Sequence, residues 1–244
     1  MVDDAASAGA SVAVELRNVV KNFQSLRPLR IRQLDIQRDH ALGLLGFDEP
    51  MAEVFVNLLT AASLPDEGDV LVFGEPTSSI TTHQSWMAML DRFGLVSRRS
   101  VLLDQLTAEQ NLAIPFTLAV ESMSDDIRRD VRTLADEVGL PSSHLIRPTA
   151  ELPASSMMRL RLGRALALKP DVLLAEHPNA PLTAAEASAF AADVTRIRQS
   201  RGLATVVLTA DRRFADAIAT EVLTLHPATG ELKADTPAWK RWFR

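Results

Sequence analysis

The stretch Leu42-Gly-Leu-Leu-Gly-Phe-Asp-Glu-Pro-Met-Ala-Glu-Val-Phe-Val-Asn-Leu-Leu59 constrains the fold more than any other part of the chain. Leu42 to Leu45 is apolar on both faces, which suits a strand covered by packed elements on each side, as in the centre of a parallel sheet. Gly46 ends that strand and a short loop follows. Met51–Ala62 then has the spacing of an amphipathic helix. A buried strand feeding directly into a helix predicts an α/β fold.

The rest of the chain extends this pattern. Val12 to Phe23 and Leu29 to Ile36 alternate apolar and polar residues, as half-buried antiparallel strands do, and Pro65-Asp-Glu-Gly68 is a turn signal before a short strand over Asp69 to Gly74. A helix is predicted over Thr81 to Leu90 and a short strand over Phe93 to Val96. Thr107 to Gly139 reads as mostly helical with a break near Pro115. Thr107-Ala-Glu-Gln110 is a capping-box pattern, and a second helix opens at Ser124 and stops at Gly139. Residues 98–156 are therefore expected as a helical insert. Beyond it, helices over Met157 to Leu168, Thr183 to Ser200 and Phe214 to Thr220 alternate with strands over Asp171 to Ala175, Leu203 to Thr209 and Glu221 to Leu225, the order of a parallel α/β sheet.

Composition excludes several classes. The 244 residues are 47% hydrophobic and 23% charged, ordinary for a globular chain with a sizeable core. A net charge of −5 offers no bulk field for nucleic acid, and no nucleic-acid partner is expected. The basic pairs Arg98-Arg99, Arg128-Arg129, Arg212-Arg213 and Lys240-Arg241 read mostly as helix faces. The absence of cysteine excludes disulfides and thiolate metal sites and fits a reducing compartment. No apolar run reaches the ~18 residues of a membrane span, and the start has no leader pattern. Residues 1–11 are expected as a frayed tail, 12–230 as the domain, and 231–244 as a basic, aromatic tail. In that tail Trp239 and Trp242 suit either an interfacial anchor or packing onto the domain.

A strand–loop–helix unit can bind phosphate when it reads G-x-x-x-x-G-K-S/T. Glycine lets backbone N–H groups close on the phosphates, lysine neutralises charge and the hydroxyl holds Mg²⁺. Of that pattern only Gly46 is present. Phe47, Asp48, Glu49 and Pro50 fill the loop, Met51 replaces the second glycine, Ala52 the lysine and Glu53 the hydroxyl residue. Each repulsion between a carboxylate and a phosphate charge at 4 Å costs about 1 kcal/mol in water and nearer 4 at the effective dielectric of a protein surface. Attraction by the helix dipole, of order 1 kcal/mol, does not offset this. The stretch therefore reads as a strand–helix connection, an acidic, methionine-bearing cap on a helix.

The order of landmarks from Val12 to Leu225 resembles the ATP-binding subunit of ABC transporters. The resemblance rests on Pro65-Asp-Glu-Gly68 through Gly74, on Leu106-Thr-Ala-Glu-Gln-Asn111, on Val138-Gly-Leu140 and on Leu152-Pro-Ala-Ser-Ser-Met-Met-Arg-Leu-Arg-Leu-Gly-Arg-Ala-Leu-Ala167. The last lies without a gap on L-S-G-G-Q-x-x-R-x-x-L-A-R-A-L-A. In style the chain looks closest to compact bacterial ATPases of lipid and lipoprotein transport. The resemblance implies a P-loop NTPase-like ABC ATPase core with an N-terminal antiparallel β portion and a helical insert.

Carried over position by position, the resemblance places Glu176 on the metal-positioning aspartate and His177 on the carboxylate that activates water. It places Arg98 on the Q-loop glutamine, Ala210 on the switch histidine and Thr183 on the D-loop aspartate. Pro153, Ala154, Ser155 and Ser156 lie on the signature that caps the partner subunit's ATP, and Phe23 on the adenine-stacking aromatic. These positions are expected to be vestigial. No catalytic residue, metal site or cofactor is expected, and Glu176 with His177 reads as a surface hydrogen-bond pair. Arg159 and Arg164 remain on the helix after the signature.

Function follows as an expectation: a catalytically inactive ABC ATPase-like subunit with a structural or regulatory role in a membrane transport complex, at the cytoplasmic face. Its expected partners are membrane-spanning subunits and an ABC ATPase-like dimer partner, identical or not. In the family a groove beside the Q-loop grips a short helix of the membrane subunit, and residues 98–116 would line it here. Two alternatives stay open. One is an active ATP-hydrolysing transporter subunit using ATP and Mg²⁺; the other is a free-standing protein-binding scaffold.

Overall fold

The computed structural model describes residues 12–234; the expected tails at 1–11 and beyond 234, with Trp239 and Trp242, lie outside the described residues. Two sheets organise the chain. Strands β1 (Val12–Lys21), β2 (Leu29–Gln37), β4 (Glu67–Val72) and β5 (Glu75–Pro76) form an antiparallel sheet in the order β2-β1-β4-β5. The second sheet has the order β10-β9-β3-β8-β7-β6, built from β3 (Ala41–Leu45), β6 (Phe93–Ser97), β7 (Val172–Glu176), β8 (Ala204–Leu208), β9 (Glu221–His226) and β10 (Glu231–Ala234). It is parallel from β9 to β6, and β10 pairs antiparallel with β9. The tail expected from residue 231 thus begins as a sheet strand.

Helix α1 (Glu49–Leu59) lies between the two sheets. Its Phe55, Val56, Leu58 and Leu59 join one core with Leu16 and Ile31 of the antiparallel sheet and Leu44, Val172 and Val206 of the parallel one. The apolar residues of α1 go to this core, while Glu53 and Asn57, which interrupt them, stay partly exposed. Helices α2 (His83–Leu90), α3 (Ala108–Ala113), α4 (Asp125–Glu137), α5 (Ser142–Leu145), α6 (Ala154–Leu166), α7 (Ala184–Arg201) and α8 (Arg212–Ile218) complete the described helices. A second core, on the other face of the parallel sheet, unites α3, α4, α6, α7 and α8.

The caps form as the residues require. Thr107 accepts from the Gln110 backbone while the Gln110 side chain accepts from the Thr107 N–H, and Thr183 and Glu186 repeat the arrangement on α7. The region from 107 to 139 is less helical than its composition suggests. Only α3 and α4 are regular, because α3 stops before Pro115 and α4 starts at the Ser124 cap. Buried Asn111 anchors this insert: its side chain accepts from Leu103 N–H at 2.9 Å and donates to Leu103 O at 2.9 Å and Thr149 Oγ1 at 2.9 Å. Helix α6 begins three residues earlier than expected, at Ala154, and runs on past residue 156, the expected end of the insert. Pro153 fits there because the first turn needs no N–H from it.

Candidate functional site

Parallel α/β sheets bind ligands beyond the carboxyl ends of their strands. Register alone assembles that edge here: Ser97 on β6 faces Glu176 on β7, Glu176 faces Leu208 on β8, and Leu208 faces Leu44 on β3. Gly46 then turns the chain with φ +84°, and a side chain there would come within 2.9 Å of Leu225 O. Only glycine suits both demands. The turn delivers the N-terminus of α1 to the same edge.

A cleft of about 440 Å³ opens at this place, lined by Glu49, Pro50, Glu53, Ser97, Arg98, Arg99, Glu176 and His177. Its carboxylates and guanidinium groups are paired with one another. Glu176, only 6% exposed, accepts two hydrogen bonds from Arg99, from Nε at 3.0 Å and Nη2 at 2.7 Å. The third nitrogen of the same guanidinium, Nη1, lies 3.2 Å from Glu53 Oε1. Arg98 Nη1 lies 3.6 Å from Glu49 Oε1. The hydrogen bonds to Glu176 are the main reason that Arg99 holds its proton more tightly than an ordinary arginine, against the opposing effect of burial. Ser97, almost fully buried, accepts the Arg99 backbone N–H at 3.0 Å and so fixes where this side chain starts.

Two donors at the start of the helix are also engaged. Asp48 caps α1, its Oδ1 accepting from Met51 N–H at 2.8 Å, and its carbonyl accepts from Ala52 N–H at 2.8 Å. Ala52 is fully buried, and Met51 packs against the core between the sheets. Proline at position 50 supplies no N–H.

The expected surface pair of Glu176 and His177 is not formed. Glu176 ends a buried strand and needs a cation, which Arg99 supplies. His177 turns away with φ +43°, its N–H donating to Leu208 O at 2.9 Å, while its Nε2 is enclosed without a hydrogen-bond partner among the described residues. Arg98, carried over onto the Q-loop glutamine, lines the cleft with them, whereas the carried-over residues at 23, 153–156, 183 and 210 lie outside the lining. Phe23 packs against the core between the sheets, Thr183 caps α7, Ala210 is exposed after β8, and Ala154 to Ser156 form the first turn of α6, with Ser156 Oγ 2.8 Å from His144 Nδ1. Arg159 pairs with Asp193 at 2.6 Å, and Arg164 donates to Val101 O at 2.5 Å. Sequence reasoning passed over Arg99 and Ser97. The pair Arg98-Arg99 was visible as a basic cluster, but nothing local says which of the two meets Glu176.

No family model matches the chain. It is 28% identical over 206 residues to the lipoprotein-releasing system ATP-binding protein LolD of Myxococcus xanthus, covering 83% of this chain and 91% of the relative. It is 26% identical over 214 residues to the methionine import ATP-binding protein MetN 1 of Pseudomonas fluorescens, covering 84% of this chain and 63% of the relative. The MetN of Brucella abortus is matched at 26% over 227 residues, 93% of this chain and 60% of the relative. The chain therefore spans about three-fifths of the length of the methionine-import relatives it matches. Among solved structures, the dimeric bacterial ABC transporter cassette MJ0796 superposes with a TM-score of 0.77 at 20% identity, covering 91% of this chain and 98% of that one. The fold is that of an ABC transporter cassette, and the sequence relatives are ATP-binding subunits of ABC transporters. In this cassette, the antiparallel sheet, the parallel sheet and the helical insert take the arrangement that the family resemblance implied. The cleft at the start of α1 brings together residues that the sequence resemblance assigned to the phosphate loop, the Q-loop and the metal-positioning strand: Glu49, Pro50 and Glu53, Arg98, and Glu176.

Proposed function

We propose that this cassette works without nucleotide, as a structural or regulatory subunit of a membrane transport complex. One observation carries the reading: Arg99 spans Glu53 and Glu176, the positions from which a cassette would hold Mg²⁺. The residues present do not fit a magnesium–triphosphate group. Three carboxylates, Glu49, Glu53 and Glu176, line the cleft, its two guanidinium groups are paired to them, and the lysine position is a buried alanine. The capping carboxylate of Asp48 occupies the helix end where phosphate oxygens would sit.

The test is binding of labelled ATP with Mg²⁺ to the purified chain, alongside thermal unfolding. The expected result is no saturable binding in the micromolar range and no shift in Tm at millimolar Mg-ATP. A ligand at 100 times its Kd would stabilise the fold by about 2.7 kcal/mol, a shift easily seen. Micromolar binding, with turnover abolished by Glu176→Gln or His177→Ala, overturns the reading in favour of an active transporter ATPase.

The membrane partner finds support at a second place. Between β6, the following loop and α6 lies a pocket of about 200 Å³ lined by Leu95, Leu102, Pro115, Arg161, Arg164 and Leu168, among others. Arg161 donates to Ser100 O and Arg164 to Val101 O. Neither meets a carboxylate within salt-bridge distance among the described residues, and burial pushes the pKa of both down. Desolvated guanidinium groups beside exposed Val101, Leu103 and Leu168 suit an acidic, amphipathic segment. Arg161→Glu with Arg164→Glu is expected to abolish co-purification with integral membrane proteins from the native host while leaving the fold intact by circular dichroism. Retained membrane proteins in that double variant would remove the docking role, and capture of soluble partners alone by the unaltered chain would favour a free-standing scaffold. No helix among the described residues is long and apolar enough to cross a membrane.

A further inference from the structure

We propose that Glu53 and Glu176 form a site for a single cation and that the chain fills it in cis with the guanidinium of Arg99. This rests on the reading of the cleft as the place of the family's nucleotide chemistry. It goes beyond loss of function: the site keeps a cation, and the cation is now a side chain of the same polypeptide.

The geometry has three parts. The two carboxylates come from different elements, α1 and β7, and the guanidinium uses separate nitrogens on each, Nη1 toward Glu53 and Nε with Nη2 on Glu176. Glu176 is almost fully buried, where a carboxylate is costly unless it is paired and hydrogen-bonded. Finally, Arg99 is held at its root by Ser97, whose place beside Glu176 is set by the pairing of β6 with β7. A free ion leaves its site on dilution. A tethered one has an effective concentration set by the chain, so the site stays filled whatever the metal or nucleotide level. The start of α1, the turn after β6 and the end of β7 are thereby tied into one state, where a nucleotide-driven cassette would alternate between two.

Removing the tethered cation while keeping both carboxylates should open the site to a divalent metal. The purified chain and its Arg99→Ala, Arg99→Lys and Arg99→Ala/Glu53→Gln variants are titrated with Mn²⁺, free ion being read by electron paramagnetic resonance. Arg99→Ala is expected to bind Mn²⁺ about tenfold or more tightly than the unaltered chain, Arg99→Lys no better than it, and the double variant to lose the gain. Equal Mn²⁺ binding by the unaltered chain and Arg99→Ala, or a gain that survives Glu53→Gln, overturns the proposal. A second measurement uses the unaltered chain, so it does not depend on the variants folding. The Arg99 Nε–H is expected to exchange with solvent about tenfold or more slowly than that of exposed Arg27, with no change in Mn²⁺ or Mg-ATP. Exchange as fast as Arg27 overturns it. Mg-ATP stabilisation of the unaltered chain would instead refute the nucleotide-free function, whereas failed Mn²⁺ uptake by Arg99→Ala with no ATP effect refutes the tethered cation alone.

Discussion

Arg99→Ala is expected to lower the unfolding free energy by about 2–3 kcal/mol, read as a drop in urea midpoint at unchanged slope. Breaking a buried ion pair strands the remaining charge, which costs about 3–5 kcal/mol when both partners are deep. Here the Arg99 side chain is 37% exposed, so solvent screens part of the interaction and the lower figure applies. Removing the stranded charge as well should recover most of the loss: Arg99→Met with Glu176→Leu is expected within about 1 kcal/mol of the unaltered chain, since a well-packed apolar pair replaces a buried ionic one at little net cost. A loss under about 0.5 kcal/mol for Arg99→Ala would rank the contact with ordinary surface ion pairs. The same substitution at Arg98 should cost no more than that, because Arg98 and Glu49 are both mostly exposed, at 59% and 71%.

A larger effect is expected from Asn111→Leu, about 3–5 kcal/mol. The leucine fits the volume but leaves the Leu103 N–H, the Leu103 carbonyl and the Thr149 hydroxyl without the partner each now has. Unsatisfied buried groups cost about 1–3 kcal/mol each, and the Thr149 hydroxyl keeps a second bond, to Leu106 O at 3.0 Å, which limits the sum. Amide exchange should accelerate first around Leu103 and Thr149, while the strands of the parallel sheet stay protected. Uniform acceleration across the chain would instead mean that the insert and the sheet unfold together.

Asn111 and Arg99 differ in how far the chain announced them. Asn111 stood inside Leu106-Thr-Ala-Glu-Gln-Asn111, a local pattern whose capping box formed as written, since its partners lie within one helical turn. Arg99 stood in a dibasic pair with no local partner. Its carboxylates lie 46 and 77 positions away in sequence (99 minus 53, and 176 minus 99); the pairing of β6 with β7 brings Glu176 to its side, and the packing of α1 against β7 brings Glu53. Glu176 was misread for the same reason. A carboxylate at a strand end is exposed in most settings, and its burial here depends on Leu208 in register beside it and on Arg99 folded over it.

The stretch around Gly46 shows where the division falls. Residue types alone determined that Leu42 to Leu45 is a buried strand, that a helix follows, and that Met51, Ala52 and Glu53 stand where a glycine, a lysine and a hydroxyl would be needed for phosphate. These are statements about side-chain chemistry and short-range periodicity, which the chain carries locally. What occupies the resulting cleft was decided by tertiary structure. Asp48, Glu49 and Glu53 looked like an uncompensated acidic cap; in the fold Asp48 is used up as a helix cap, and Glu49 and Glu53 face Arg98 and Arg99 from the end of β6. Charge balance in a cleft is a sum over elements distant in sequence, and strand register decides which charges enter it.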